Sequence, residues 1–505
     1  MWSWISRQWQ ERPLSLILLT AILVRVIAVI FSRGYGMLDD HFLVIEAGQS
    51  WVDGNDYNNW LPSSGNTEPK GHSFFYPGIH SGIFWILEQA GLTDPQGKMY
   101  IVRFLHALLS LVTVVIGYRI TYCISDKKTA RMAALLLAIY WFMPFLSVRN
   151  MVEVVSIPLL MLGTWIILKN SEPGERRWSY LWAGIILGLA FDIRFQTILF
   201  SGGLGLVMLI RRQWIPVLVL SAGYIIAVFL VQGVIDMFIW GYPFAELTEY
   251  INHNIIHSTD YIVSPWYTYL LLITGILIPP VSIYLLAGFF ISWKKNILIF
   301  LPAFIFLVFH SIFPNKQERF ILPIIPFIIM AGLAGWNKFV NLSSFWQKNK
   351  GLLKASWIFF WIINLALLPV ISTTYSKKAL CESMYYLYGQ NAGTVILADA
   401  SHRHGVPMLP RYYSGAWPAV IETYISHPPS SIDSAFITDP EKKPRFLIFI
   451  EEKDIESRIE AMRKIYPHIE YETTIEPGFI DRVMHGLNPV NANNVIVIYR
   501  NGEFP

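Results

Sequence analysis

Two adjacent carboxylates, Asp39 and Asp40, follow closely on the first apolar run of the sequence. A carboxylate in such a place can take the proton of an attacking hydroxyl, while a neighbouring acid orients it or contacts a second substrate. Like charges this close split their proton affinities, which leaves one acid better suited to act as a base. The same pair has two other readings. It can simply mark where a helix meets water, or it can offer oxygen ligands to a hard divalent cation. Two acids alone do not complete a metal site, so a divalent metal stays an alternative and no cofactor is assigned.

Further polar residues stand at intervals through an otherwise apolar chain. Arg25 lies near the middle of the first apolar run, where a guanidinium is costly and must face protein, an acid or a water-filled cavity. A pairing with a carboxylate of the bundle and a functional role are equally compatible with it. Polar groups also gather at the ends of later runs: Lys70 and His72; Arg149, Asn150 and Glu153; Asp192 and Arg194; Asp236; His253 and His257; His310; and Lys316, Gln317, Glu318 and Arg319. Singly each reads as a solvated loop charge or a helix-end pair. Together they fall on the side that carries Asp39, where cations suit a phosphate leaving group whose charge develops during reaction. His402-Arg403-His404 sits in a Gly/Pro-rich loop and reads as exposed, not as a metal site.

The elements that must hold these groups are membrane spans. The chain has 505 residues, of which 54% are hydrophobic and only 15% charged, too apolar for an ordinary soluble enzyme. The net charge of +4 is spread over short turns between apolar runs, which argues against nucleic-acid binding. Nineteen Trp and 25 Tyr fit two membrane–water interfaces. Cys123 and Cys381 lie far apart, so no disulfide framework is expected. Candidate spans fall at about 14–31, 100–122, 132–147, 152–168, 179–192, 195–210, 214–232, 266–292, 297–312, 320–336 and 355–374. The shorter run 77–91, with His80 and Glu88, reads as interfacial or re-entrant. The first run lacks a small-residue cleavage site and reads as a retained anchor.

With these eleven spans, the basic turns Lys127/Lys128/Arg131, Lys169/Arg176/Arg177, Arg211/Arg212, Lys294/Lys295 and Lys338/Lys348/Lys350/Lys354 share a side with Arg7 and Arg12. The bias of Lys and Arg toward the cytoplasm puts the N-terminus there and the Asp39 side outside. An odd count then sends everything after about residue 375 to the outer side. From about 376 the apolar runs shrink to strand length at Thr394–Ala398, Arg445–Ile450, Ile469–Ile475 and Asn494–Arg500, with a helical repeat at Ile455, Ile459, Met462 and Ile465. The expected organisation is a mostly α, polytopic membrane bundle over 1–375 with an outer-side, periplasmic or lumenal α/β domain over 376–505.

Several segments resemble glycosyltransferase family 22, the mannosyltransferases of the GT-C class that build lipid-linked oligosaccharides and glycosylphosphatidylinositol anchors. Leu38-Asp39-Asp40-His41-Phe42-Leu43-Val44-Ile45-Glu46-Ala47 is similar to its Pro-Asp-Glu-x-Phe-Gln-x-x-Glu-Ala. Ser73-Phe74-Phe75-Tyr76-Pro77 is similar to Arg-Ser-x-x-x-Pro, and Val148-Arg149-Asn150-Met151-Val152-Glu153 to a compressed Arg-Thr-x-x-Asn-x-x-Glu. Asp236-x-x-x-Trp240-Gly241, Tyr250-Ile251-Asn252 and Ser264-Pro265-Trp266-Tyr267-x-Tyr269 follow in the family's order. Lys316-Gln317-Glu318-Arg319-Phe320-x-x-Pro323 is close to His-Lys-Glu-Glu-Arg-Phe-x-x-Pro and is the most specific match. Leu38, Asp40, Leu43 and Asn315 depart from the pattern and leave sugar and acceptor open.

The resemblance implies a GT-C fold and an inverting transfer of a sugar, mannose above all, from a polyprenyl-phosphate donor to a hydroxyl of a glycan or glycolipid acceptor. It implies Asp39 as base, with Asp40 placing acceptor or donor, and Lys316 and Arg319 on the donor phosphate. Arg149 and Arg194 join them by position and chemistry; His41, Glu46, His253, His257, Trp266, Gln317 and Glu318 are the substrate-binding candidates. Another polyprenyl-phosphate sugar is the first alternative. A transporter of lipid-linked glycans is the second, although transporters gather polar groups near the midplane and often show internal repeats. A receptor-like scaffold needs no charged ring at all. The expected partners are the lipid donor, the acceptor and membrane lipid. Low Cys usage and the lack of retention signals lean toward a bacterial inner membrane over an endoplasmic reticulum.

Overall fold

The computed structural model describes residues 9–170, 177–260, 263–390, 392–451, 453–488 and 494–503. Arg7 and Arg176, used above to orient the chain, lie outside the described residues. The chain divides into two compact units, one of residues 1–29, 59–78 and 103–372, the other of residues 30–58, 79–102 and 373–505.

In the first unit every expected span is helical, but not every one is continuous. Among the described residues, six helices are long and apolar enough to cross a bilayer: Pro13–Phe31, Pro95–Ile124, Val152–Lys169, Trp214–Trp240, Glu318–Leu342 and Lys350–Ser372. The helices at Phe195–Ile210, Val281–Ile291 and Ile297–Ile312 are apolar but shorter. The run expected at 132–147 is split into Lys127–Ile139 and Met143–Ser147, and the run at 266–292 into Thr268–Ile276 and Val281–Ile291. Pro144 and the Pro279-Pro280 pair account for the breaks, since proline cannot donate within a helix.

Broken backbone inside an apolar bundle must find partners. Side chains at the first break supply them to the second. Tyr140 donates its hydroxyl to the carbonyl of Leu277 at 2.6 Å, and the Trp141 indole donates to that of Ile276 at 2.9 Å. Asn364, wholly buried on the helix Lys350–Ser372, accepts from the Trp141 N–H at 2.9 Å and donates to the Ile139 carbonyl at 2.9 Å. Arg25 serves the same helix end. Its guanidinium donates to Ser110 Oγ at 2.7 Å and to the carbonyls of Ala138 and Leu137 at 3.0 and 3.4 Å. The deep cation thus caps the C-terminal, negative end of Lys127–Ile139 rather than pairing with a carboxylate.

Two helix pairs close to backbone contact through glycine, as small residues permit in membranes. A Cβ on Gly288 would stand 2.0 Å from the Gly332 carbonyl oxygen, and one on Gly335 1.9 Å from that of Gly288. Likewise a Cβ on Gly184 would meet the Leu220 carbonyl oxygen at 2.0 Å. The helix Glu318–Leu342 is almost entirely buried.

The second unit is built on a five-stranded sheet: β1 Val395–Ala400, β2 Ala419–Thr423, β3 Phe446–Ile450, β4 Ile469–Ile475 and β5 Ile496–Asn501, in the order β2-β1-β3-β5-β4. β1 pairs in parallel with β2 and β3, while β5 runs antiparallel to both β3 and β4. In register, Ile396 lies beside Phe446 and Ile448 beside Ile498. Alternation along the strands divides the core. Ile396, Ile448 and Ile498 pack with Met384, Tyr412, Phe42 and Phe84, whereas Leu397, Leu447 and Phe449 pack with Met462 and Tyr466. The first of these clusters joins the Asp39 segment to the sheet.

Candidate active site

Asp39 and Asp40 form, with Leu38, a single helical turn entered from extended Met37. Asp39 is exposed and Asp40 is buried, so adjacency in sequence becomes two different environments. Directly after them the backbone opens into a wide turn at His41–Glu46 with i to i+5 hydrogen bonding, a form that often marks functional sites. That wide period brings His41 and Glu46, five residues apart, together: Nε2 of His41 lies 3.4 Å from Oε1 of Glu46. Neither side chain retains any exposed surface. The imidazole is stacked between Tyr35 at 4.7 Å and Tyr413 at 5.5 Å, and Glu46 accepts the Tyr412 N–H at 3.0 Å. His41 and Glu46 thus both contact the Tyr412–Tyr413 segment.

A second cluster lies in the helical unit. Val152–Lys169 carries fully buried Glu153 in its first turn, with Oε1 3.1 Å from Nη2 of Arg194 and 3.6 Å from Nε of Arg319. Two guanidiniums thus meet on one carboxylate. Arg319 also donates to Gln317 Oε1 at 2.9 Å, and Tyr269 donates to the Gln317 carbonyl at 3.1 Å. The Phe320 ring sits under Arg194, 4.9 Å from Cζ to centroid. Lys316 donates to the Phe313 carbonyl at 2.6 Å, and burial pulls its ammonium below the ordinary lysine range. Arg149 is buried just ahead of the same helix, with its guanidinium 4.4 Å from the Phe145 ring centroid. Glu153, Arg194, Gln317 and Arg319 are thus brought together from three distant stretches of sequence.

The remaining candidates are more open. His253 and His257 lie one helical turn apart with tilted rings, centroids 4.6 Å apart, and His257 pairs with Asp260 at 2.6 Å. Trp266 is largely exposed. Among the described residues no group of three or more His, Cys, Asp and Glu side chains converges as a metal site. His402 of the His402-Arg403-His404 loop is paired with Glu451 at 2.5 Å.

Sequence reading missed Glu246. Its Oε2 accepts three successive backbone N–H groups, those of Lys70, Gly71 and His72, at 3.1, 2.6 and 2.9 Å, and its Oε1 accepts the Trp240 indole at 2.8 Å. Burial pushes this carboxyl up to about 7 against the pull of those donors. Gly71 has φ +78° and a Cβ there would touch the Tyr250 backbone at 3.0 Å, so the cradle needs glycine at that point. The only signal in the sequence is the acid five residues after Gly241, which has no recognisable spacing to the distant Lys70–His72.

Residues 16–405 match the Alg9-like mannosyltransferase family. GPI alpha-1,2-mannosyltransferase 3 of Danio rerio is 22% identical over 331 residues, covering 63% of this chain and 60% of that protein. Mannosyltransferase APTG1 of Arabidopsis thaliana is 22% identical over 415 residues, covering 79% and 70%. The chain therefore spans 60% of the length of the zebrafish relative. Among solved structures, ArnT from Cupriavidus metallidurans in the apo state aligns with TM-score 0.62 at 13% identity, covering 96% of this chain and 97% of that one. ArnT bound to undecaprenyl phosphate gives TM-score 0.60 at 13% identity, with the same coverage. An Archaeoglobus fulgidus oligosaccharyltransferase gives 0.51 at 12% identity, covering 96% and 73%. These structures share the GT-C fold with this chain.

Proposed function

Because the chain belongs to the Alg9-like mannosyltransferase family and is a membrane glycosyltransferase of GT-C fold, we propose that it transfers mannose from a polyprenyl-phosphate donor to a hydroxyl of a glycan or glycolipid acceptor, at the outer face of the membrane. Asp39 takes the proton of the acceptor hydroxyl. The freed oxygen bonds to the anomeric carbon from the side opposite the phosphate, and the bond from carbon to phosphate oxygen breaks with its electron pair. Configuration inverts and polyprenyl phosphate leaves. A phosphate leaving group needs little protonation, so one base with fixed positive charge suffices; glycosidases, in contrast, use two carboxylates.

Asp40 places a substrate hydroxyl. Arg319 and Lys316, with Arg194 and Arg149, receive the donor phosphate; Gln317 and Glu318 border them. His253, His257 and Trp266 offer stacking and hydrogen bonds to sugar. His41 and Glu46 act from behind, by fixing the turn that carries Asp39. The bundle 1–375 is the glycosyltransferase domain and 376–505 its outer-side domain, in a bacterial inner membrane.

The observation that carries this reading is the cluster at Glu153, where the guanidiniums of Arg194 and Arg319, from two distant stretches of sequence, meet on one fully buried carboxylate. The carrier is supported by ArnT, whose structure with undecaprenyl phosphate shares this fold. Mannose and a glycolipid acceptor are supported by the names of the curated relatives. The test is transfer from defined polyprenyl-phosphate sugars by wild type, Arg319→Lys and Arg319→Ala. A loss graded from Lys to Ala, with donor KM raised, supports the reading; equal rates in all three exclude Arg319 from the donor phosphate.

A further inference from the structure

The helix Phe479–Leu487 in the sheet unit is amphipathic in the wrong sense for a soluble domain. Phe479 and Leu487 are 76% and 77% exposed, and Val483 and Met484 project beside them at 40% and 47%. At 100° per residue these four side chains fall on one face. The polar side chains Asp481 and His485 lie on the opposite face and are half-buried, as is Ile480. Asp481 accepts the Gly478 N–H at 3.1 Å and faces Lys377 and Lys378. The domain holds this helix by its polar side and turns its apolar side outward.

Where the helix starts says what covers that face. A Cβ on Gly478, its N-cap, would lie 3.2 Å from the Tyr375 carbonyl oxygen. Tyr375 stands three residues after Ser372, the end of the last long apolar helix. There the chain lies against the exit of the first span: Ser376 N–H donates to the Arg33 carbonyl at 3.0 Å, and Ser32 Oγ to the Thr374 carbonyl at 3.3 Å. Gly34, at φ +75°, lets the two segments touch, since a Cβ there would overlap the Ser376 carbonyl oxygen at 1.8 Å. Phe31 and Leu38, just before and after this junction, are themselves 53% and 49% exposed. The helix therefore begins beside the residues that directly follow Phe31 and Ser372, the ends of two long apolar helices.

We propose that the Phe479–Leu487 helix lies in the outer-leaflet interface, with Phe479, Val483, Met484 and Leu487 among lipid acyl chains, and pins the C-terminal domain to the membrane surface. A short amphipathic helix binds a bilayer in this way through its buried apolar area. The inference rests on the membrane character of the chain and not on its transferase chemistry.

The test uses the full chain with Cys123, which is exposed, replaced by Ser, and Cys381, which is buried, left in place. Nitroxide labels are put singly at Phe479→Cys and Leu487→Cys. Arg482→Cys serves as a water reference and Leu23→Cys, on the first span, as a lipid reference. In nanodiscs of phosphatidylcholine and phosphatidylglycerol, accessibility to oxygen and to a water-soluble nickel chelate is read by electron paramagnetic resonance. Oxygen-to-nickel ratios at 479 and 487 near that of position 23, and several-fold above that of 482, are expected. Ratios equal to that of 482 overturn the proposal. Low accessibility to both reagents overturns it too, because the face would then be covered by a second copy or another protein.

Discussion

Replacing Glu153 by Gln removes one charge and almost no volume, so it tests the cluster without opening a cavity. At an effective dielectric of about 20, unit charges at the observed 3.1 and 3.6 Å attract by about 5 kcal/mol each. Desolvation offsets part of that. Breaking a buried pair by removing one partner has a net cost of about 3–5 kcal/mol, since the remaining charge is left uncompensated. Here two guanidiniums would be left. Glu153→Gln in detergent is therefore expected to lose several degrees in thermal unfolding midpoint. Under the proposed function, polyprenyl phosphate supplies the missing negative charge. The variant should then be stabilised by added undecaprenyl phosphate by more than wild type is, in the same scan. A variant as stable as wild type would refute the reasoning about the buried pair. A destabilised variant that the lipid phosphate fails to restore would refute the phosphate site.

Other perturbations probe separate parts of the account. Asn364→Leu strands the Trp141 N–H and the Ile139 carbonyl at about 1–3 kcal/mol each, so the midpoint should fall clearly, while Leu365→Ala on the exposed side of the same helix should not lower it. Gly335→Val drives a side chain into the Gly288 carbonyl and should abolish recovery of monodisperse protein, whereas Gly351→Ala, in open space, should not. Glu246 sits at about 7 when folded, above the ordinary glutamate value of 4.5, so the folded state binds the extra proton. Its contribution is full below about pH 4.5 and is lost as pH rises through about 7. Unfolding midpoints measured from pH 5 to 8 should thus fall more steeply in wild type than in Glu246→Gln.

Apolar length made the spans readable, because a bilayer demands it. It did not show where they break. The run 266–292 hides a break at Pro279-Pro280, and the splitting of 132–147 depends on Tyr140, Trp141 and Asn364 finding partners far away in sequence. Arg25 was legible as a buried cation, yet its partners are carbonyls at a helix end, which no residue type announces. In the sheet domain four strands stood out as apolar runs of strand length, the last two with β-branched residues as well. β2 did not, since Ala419–Thr423 is a short, half-exposed edge strand. The acidic pair and the 316–319 motif were visible as motifs. The contact of Glu153 with Arg194 and Arg319 joins residues up to 166 positions apart (319 − 153) and belongs to the tertiary fold alone. The wide turn at His41–Glu46 likewise brings two buried side chains, five residues apart, to 3.4 Å, a contact that ordinary helical spacing does not announce.

The central claim is tested most directly by transfer of mannose from polyprenyl-phosphate mannose to a glycolipid acceptor, wild type against Asp39→Asn, with donor binding measured on both proteins. General-base catalysis contributes roughly 10²–10⁴-fold, so transfer should fall by about that factor while donor binding stays unchanged. Undiminished transfer by Asp39→Asn, with donor bound as in wild type, would contradict the account.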